Sequence, residues 1–426
     1  MRSIRSLRGA IAALAITSVA ACGGGGGDGG APAAKTASDT GITANQILLG
    51  GTIALSGPAA AYGTIAKASD AYFKYINAKG GVNGRQIKYN YLDDGYNPAQ
   101  TVPLTKQLVE QDQVFAMFGG LGTQPQISVE QYLNAKKVPQ ALVATGDTRF
   151  SAEGSKYPYT FGWQPTYRGE ALMYARALLK QTPAPKIAVI YQNDDYGQDY
   201  LTGFKNGLGD KASSLIVATA NNEVGAPDVK QQVATLKASG ADTLMIFETP
   251  TPAIKTIATV AALGWQPTKY LNIVANPVPY VKAAQKATGS PVAVDGILSA
   301  GYVNDPLDPA NASNAGITLY KEIMSKYYPE GKPDDSFNIY GMAVAYTMVD
   351  VLKHAGDNPT RKSLISALNN FTETDNPFLG KNVVAKNTPK DHFTITQSQV
   401  IKYDAAQGRY IPQGDLIDVR GKITYP

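Results

Sequence analysis

The chain has 426 residues, 44% of them hydrophobic and 17% charged, and a formal net charge of +5. That length exceeds one ordinary domain and predicts two, each with a full hydrophobic core. Lys and Arg are spread along the chain rather than clustered, which argues against a nucleic-acid-binding face, and a single cysteine excludes an intramolecular disulfide and a cysteine-based metal site.

The first 21 residues read as a signal peptide. Arg2, Arg5 and Arg8 precede an apolar stretch from Ala10 to Ala21, long enough for a signal-peptide core and too short to span a bilayer. Removing those three arginines leaves 36 basic against 34 acidic residues. Val19-Ala20-Ala21 before Cys22 resembles a bacterial lipoprotein processing site, with Val19 where leucine is more usual. Lipidation at Cys22 explains a lone thiol in an exported protein. The competing reading is an ordinary secretory peptide cleaved nearby, with Cys22 incidental. The glycine-rich stretch that follows has almost no side chains to bury, so 22–44 is expected to be a disordered lipoprotein tether. No strand precedes those glycines and no helix follows, so they are not a phosphate loop. Later apolar runs are too short for a membrane helix.

From residue 45 strands and helices alternate. Ile47–Leu55 is strand-like and ends at the turn Ser56-Gly57-Pro58. Ile65, Ala68, Tyr72, Tyr75 and Ile76 then recur at helical spacing up to Gly80-Gly81, and Gln86–Leu92 is a second strand running into Asp93-Asp94. Such a βαβ opening requires a parallel sheet. Further strands are expected at Val114–Phe118, Val138–Ala144, Lys186–Gln192, Ser214–Thr219, Thr243–Phe247 and Tyr270–Ala275. Helices are expected at 127–136, 167–180, after Tyr196-Gly197, at 228–237 and at 253–263. The alternation predicts open α/β domains with helices on both sheet faces.

Motifs for catalysis are poorly supplied. His354 and His392 lie near no nucleophile motif, and GxSxG, HExxH and GxxxxGK[ST] are all absent from the sequence. The Gly57–Thr64 stretch lacks the lysine of a phosphate loop, and Gly120-Leu121-Gly122 lacks the third glycine of a dinucleotide fingerprint. Asp93-Asp94 reads as loop capping before Pro98 in preference to a metal site. No enzyme activity, cofactor or metal is expected.

LSGPAAAYG at 55–63, INAKGGVNG at 76–84 and YLDDGYNP at 91–98, occurring in that order, resemble the opening of the periplasmic leucine/isoleucine/valine-binding protein family. These are the type I solute receptors of ATP-driven importers. The resemblance covers about residues 45–350 well and the remainder weakly. It implies two open parallel-sheet lobes joined by three crossover strands, with a small solute held between them. Lobe one is expected to comprise 45–163 and 304–382, and lobe two 164–303 and 383–426, with the chain crossing between them at 161–166, around 298–303 and near 383–400; 371–393 has few periodic features. It also implies an extracytoplasmic monomer, membrane-bound through its lipid alone, whose partners are a permease pair and its ATPases. A lipid-anchored sensor acting on a signalling protein is the alternative, and a secreted α/β hydrolase a more distant one.

Ligands of open α/β sheets lie beyond the carboxyl ends of strands. There the resemblance assigns Tyr62 and Tyr196 as facing aromatic clamps, against which stands the bland reading of rim tyrosines. It assigns Gly146 and Thr148 to the ligand carboxylate. Gly120 stands where amino-acid receptors use a serine, leaving Leu121 and Thr123 to donate, and Asn276 stands where they use an acid for the ammonium. Glu248 either replaces that acid or caps the next helix. The expected ligand is accordingly a small carboxylate, amino-acid-like or an aromatic or aliphatic acid.

Overall fold

A computed structural model gives residues 37–425. The expected signal peptide, Cys22 and the glycine-rich stretch therefore lie outside the described residues. The chain opens with β1 (Gln46–Ile53), β2 (Gln86–Asp93), β3 (Ala116–Phe118), β4 (Gln140–Val143) and β5 (Thr160–Gly162), interleaved with α1 (Gly63–Ala78), α2 (Pro98–Lys106), α3 (Thr123–Lys136) and the short α4 (Arg149–Ala152). These strands form one parallel sheet in the order β2-β1-β3-β4-β5.

The chain then crosses through Trp163–Thr166 into α5 (Tyr167–Gln181) and a second sheet. This contains β6 (Ile187–Gln192), β7 (Ile216–Asn222), β8 (Thr243–Phe247), β9 (Thr268–Leu271) and β10 (Leu298–Gly301), with helices α6 (Asp195–Leu208), α7 (Ala212–Leu215), α8 (Lys230–Ala238), α9 (Pro250–Ala262) and α10 (Val278–Thr288). The chain returns to the first lobe as α11 (Ala315–Tyr327), α12 (Ser336–His354) and α13 (Arg361–Leu368), with a two-stranded ribbon, β11 (Phe371–Glu373) and β12 (Ala385–Asn387). A third passage leads to β13 (Gln397–Asp404) and β14 (Arg409–Asp418), which extend the second sheet to β14-β13-β10-β9-β8-β6-β7. Both pair antiparallel, so the expected parallel sheet of the second lobe is extended at one edge by two antiparallel strands.

Strand alternation supplies two cores per sheet. In β6, Ile187, Val189 and Tyr191 face the cluster under α5 and α6, while Ala188 and Ile190 face the one under α8, α9 and α10. Such two-sided burial is why β6 reads as an unbroken apolar run. In the first lobe α1 and α12 pack closely enough that a Cβ at Gly341 would lie 2.3 Å from the Ile65 carbonyl. Ser69 donates to the Gly341 carbonyl at 2.8 Å in the same contact. This seam fixes Ile65 and Tyr340 beside each other at the cleft. Trp163, fully buried at the first crossing, donates to Thr347 at 3.0 Å and packs edge-on against Tyr340, tying the crossing to α12.

Candidate functional site: an aromatic cavity between the lobes

A cavity of about 110 Å³ lies between the two sheets at the carboxyl ends of their strands. Lobe one contributes Tyr62, Ile65, Tyr96, Leu121, Gly122 and Ala144, with Phe337 and Tyr340 from α12. Lobe two contributes Tyr167, Tyr196, Thr249, Tyr410 and the loop from Ile273 to Val278, while Gln164 and Tyr302 come from the crossings. Asp305 and Asp334 also line it, and among the described residues no Lys, Arg or His does. The space is several times that of one water, and its wall is chiefly aromatic.

Tyr62 ends the short turn Gly57–Tyr62, which carries Pro58 at its second position. Its ring sits 5.0 Å from that of Phe337 and its phenol donates to the Val274 carbonyl at 3.0 Å, from one lobe to the other. Tyr280 donates back across the cleft to the Ala61 carbonyl at 3.1 Å. Tyr196 lies in the first turn of α6, capped by Asp194 through the Gly197 N–H at 3.3 Å. A Cβ at Gly197 would fall 2.0 Å from the Gln192 carbonyl, so only glycine lets this helix start so close to its strand. The Tyr196 ring meets Tyr167 edge-on at 5.0 Å, and its phenol accepts from the Asn272 amide. Tyr62 and Tyr196 are 6% and 2% exposed, inside the cleft wall rather than on its rim.

The other expected contacts are distributed unevenly. Leu121 is on the wall, while Gly120 is set back, where a Cβ would strike the Gln126 side chain at 2.2 Å. Thr123 opens α3 just behind the wall with its hydroxyl paired to Thr145 at 2.7 Å. First-turn N–H groups have no intrahelical acceptor, and no described residue accepts from those of Thr123 and Gln124. Gly146 and Thr148 do not line the cavity. The Thr148 amide and hydroxyl both donate to Asp199 on α6, at 3.0 and 2.7 Å, so a carboxylate of the protein itself occupies the donors expected to take the ligand's. Arg168 binds the other Asp199 oxygen at 2.5 Å. Burial and the neighbouring Asp199 carboxylate push Asp147 well above the usual carboxylate range.

Glu248 is fully buried within lobe two, off the cavity wall, and accepts from Thr256 on α9 at 2.7 Å. Burial pushes its carboxyl up to about 8. Asn276 does line the cavity, but its amide nitrogen donates to Ser299 at 2.8 Å and to the Ala300 carbonyl at 2.9 Å. Asp93 accepts from the backbone N–H groups of Leu55, Ser56 and Gly95, and Asp94 from Tyr96 N–H and Thr101, which shapes the loops carrying Tyr62 and Tyr96.

Several wall residues had no signal of their own in the sequence. Gln164, whose Oε1 accepts from Tyr340 at 2.9 Å, lies in the stretch read as a crossing. Tyr340 and Phe337 arrive on α12, far along the chain from the first strand–helix unit, where nothing in the local pattern marks a cleft.

Two α/β lobes meeting over a ligand-sized aromatic cavity define a two-lobed binding protein. The chain belongs to the periplasmic binding protein family, whose model matches residues 46–409. This is a family of extracytoplasmic solute-binding proteins, not enzymes. The chain is 23% identical over 317 residues to Leu/Ile/Val-binding protein homolog 1 of Brucella suis biovar 1, covering 74% of this chain and 80% of that one. A shorter match, 25% identical, covers 39% of this chain and 44% of an amino acid binding protein of Pseudomonas aeruginosa. Among solved structures the fold is similar to a fatty acid ABC transporter substrate-binding protein from Thermomonospora curvata, with TM-score 0.74, 24% identity, and 90% and 95% of the two chains covered. It is also similar to a branched chain amino acid ABC transporter from Thermus thermophilus with bound valine, with TM-score 0.76, 17% identity, and 88% and 97% covered.

Proposed function

We propose that this protein is the extracytoplasmic receptor of an ABC-type importer, closing around a small, largely apolar solute that bears a carboxylate and no α-ammonium. The observation that carries the reading is the cavity itself, walled by aromatic rings from both lobes and bridged by Tyr62 and Val274. Rings from opposite lobes give contacts made together only on closure, which is how a solute can shift an open–closed equilibrium.

The Thr123 and Gln124 N–H groups at the start of α3 supply the donors for the solute's polar end. Its body lies between Tyr62 and Tyr196. Asp305 and Asp334 disfavour an anion at their part of the wall, which sets the orientation. Neither Asn276 nor Glu248 offers a carboxylate to an ammonium in the cavity, and an amino acid would have to use Asp305 or Asp334 instead. The importer partnership is supported by the likeness to the fatty acid and branched chain amino acid ABC transporter proteins. The lobes comprise 45–163 with 304–382 and 164–303 with 383–426, the receptor acts as a monomer, and Cys22 carries the lipid that tethers it to the membrane.

Native mass spectrometry of the processed protein, purified without denaturant, tests the reading. It should reveal a retained small acid, lost in denaturing solvent. A retained leucine, isoleucine or valine would replace the proposed ligand class.

A further inference from the structure

Behind the lobe-two wall sits a carboxylate that no sequence motif marks. Glu170, in the first turn of α5, is 1% exposed. Its Oε1 accepts from the Tyr174 phenol and from the Ile273 N–H, each at 2.7 Å, and its Oε2 accepts from the Tyr200 phenol at 2.6 Å. These bonds reach two working parts of the site. Ile273 precedes Val274, whose carbonyl receives Tyr62 from the other lobe at 3.0 Å. Tyr200 stacks on Tyr167 with centroids 4.5 Å apart, and Tyr167 meets Tyr196 edge-on at the cavity.

We propose that Glu170 is a positioning residue for closure, holding the Ile273–Val274 backbone where Tyr62 docks and fixing the tyrosine wall on which the solute rests. The role rests on the solute-receptor reading, since it is through closure that it matters.

The chemistry gives this role a pH signature. Burial raises the Glu170 carboxyl to about 7, against the lowering effect of its bonds from Tyr200, Tyr174 and Ile273. The other titratable groups facing it are Tyr167, Tyr196 and Tyr302, all phenols, and among the described residues no cation acts on it. Ionised, the carboxylate only accepts and holds the Ile273 N–H by a charge-assisted bond. Protonated, one oxygen becomes a donor and that hold weakens. The closed fraction therefore rises as pH rises through about 7. Fold stability runs the other way. A carboxyl raised in the folded state contributes fully below its ordinary value of 4.5, and that contribution is lost as pH rises through about 7.

The test is made on the full chain carrying Cys22→Ser, with spin labels at Lys230→Cys and Lys332→Cys, both exposed and one on each lobe. Double electron–electron resonance then reads the lobe separation with no ligand added. A short-distance population should be present in this parent, fall about three-fold in Glu170→Gln and in Tyr62→Phe, and fall no further in the double variant. It should grow across neutral pH in the parent and stay flat in Glu170→Gln. If the glutamine variant does not fold, Tyr200→Phe keeps the carboxylate and removes a bond that lowers it, so the pH midpoint should move up. A folded Glu170→Gln with the parent's distances and pH profile overturns the role, as does a parent distribution that neither substitution nor pH alters. Failure of every solute to bind while the distances behave as described would instead refute the receptor reading.

Discussion

The phenol of Tyr62 donates a 3.0 Å hydrogen bond to the carbonyl of Val274, joining two residues 212 positions apart and on opposite lobes. It turns the tyrosine that covers the cavity into part of the closure contact as well. Tyr62→Phe keeps the ring against Phe337 and deletes that bond alone. Solute affinity should fall by about 0.5–1.5 kcal/mol, with a melting temperature close to the parent's. Unchanged affinity in a calorimetric titration would separate the cavity from closure.

Truncation is a different experiment. Tyr196 is 2% exposed and packed against Tyr167 and Tyr200, so Tyr196→Ala should cost roughly 3–5 kcal/mol of fold stability in addition to affinity. The apo melting temperature, which a rim tyrosine would leave nearly unmoved, distinguishes the two settings.

The expectation for Thr148 changes with its partner. Because its hydroxyl donates to Asp199 at 2.7 Å, Thr148→Val should cost the apo protein about 1–3 kcal/mol and leave the solute dissociation constant nearly unchanged. Loss of affinity at unchanged apo stability would return Thr148 to the ligand.

Glu248 carries a pH prediction. Its folded value of about 8 lies above its ordinary 4.5. Its contribution to stability is therefore full below about 4.5 and is lost as pH rises through about 8. Scanning calorimetry should show Glu248→Gln flattening the fall in melting temperature over that interval, with solute affinity at neutral pH unaltered. A matched loss of affinity would make Glu248 a ligand contact.

How legible the site was depends on where each residue comes from. Tyr62 and Tyr196 follow strands whose apolar runs are local and strong, so placing both near the carboxyl ends needed only periodicity and the parallel-sheet rule. Tyr270–Ala275 was read as one strand, yet β9 ends at Leu271 and Ile273–Ala275 form a turn. That turn supplies Val274, so the error concealed the landing point of Tyr62. Thr148 illustrates another limit, because its partner Asp199 sits in the other lobe and only the fold brings them together. The antiparallel pair β13–β14 with Tyr410 lies where the resemblance is weak, and the return helix bearing Phe337 and Tyr340 carries none of the motifs on which the resemblance rests.

Cys22, outside the described residues, carries the anchoring prediction. Cys22→Ser should move the protein from the membrane fraction to the soluble one while preserving solute binding. Retention on membranes after a salt and carbonate wash would refute the lipid anchor.

The most direct test of the central claim is a thermal-shift panel of small aliphatic and aromatic carboxylic acids, their amides, and leucine, isoleucine and valine. A ligand at 100 times its dissociation constant stabilises by about 2.7 kcal/mol, which the melting temperature resolves. The account predicts stabilisation by one or more acids without an α-amino group, weakened in Tyr62→Phe and untouched by Glu248→Gln. Stabilisation by the branched-chain amino acids alone, abolished in Glu248→Gln, would contradict it.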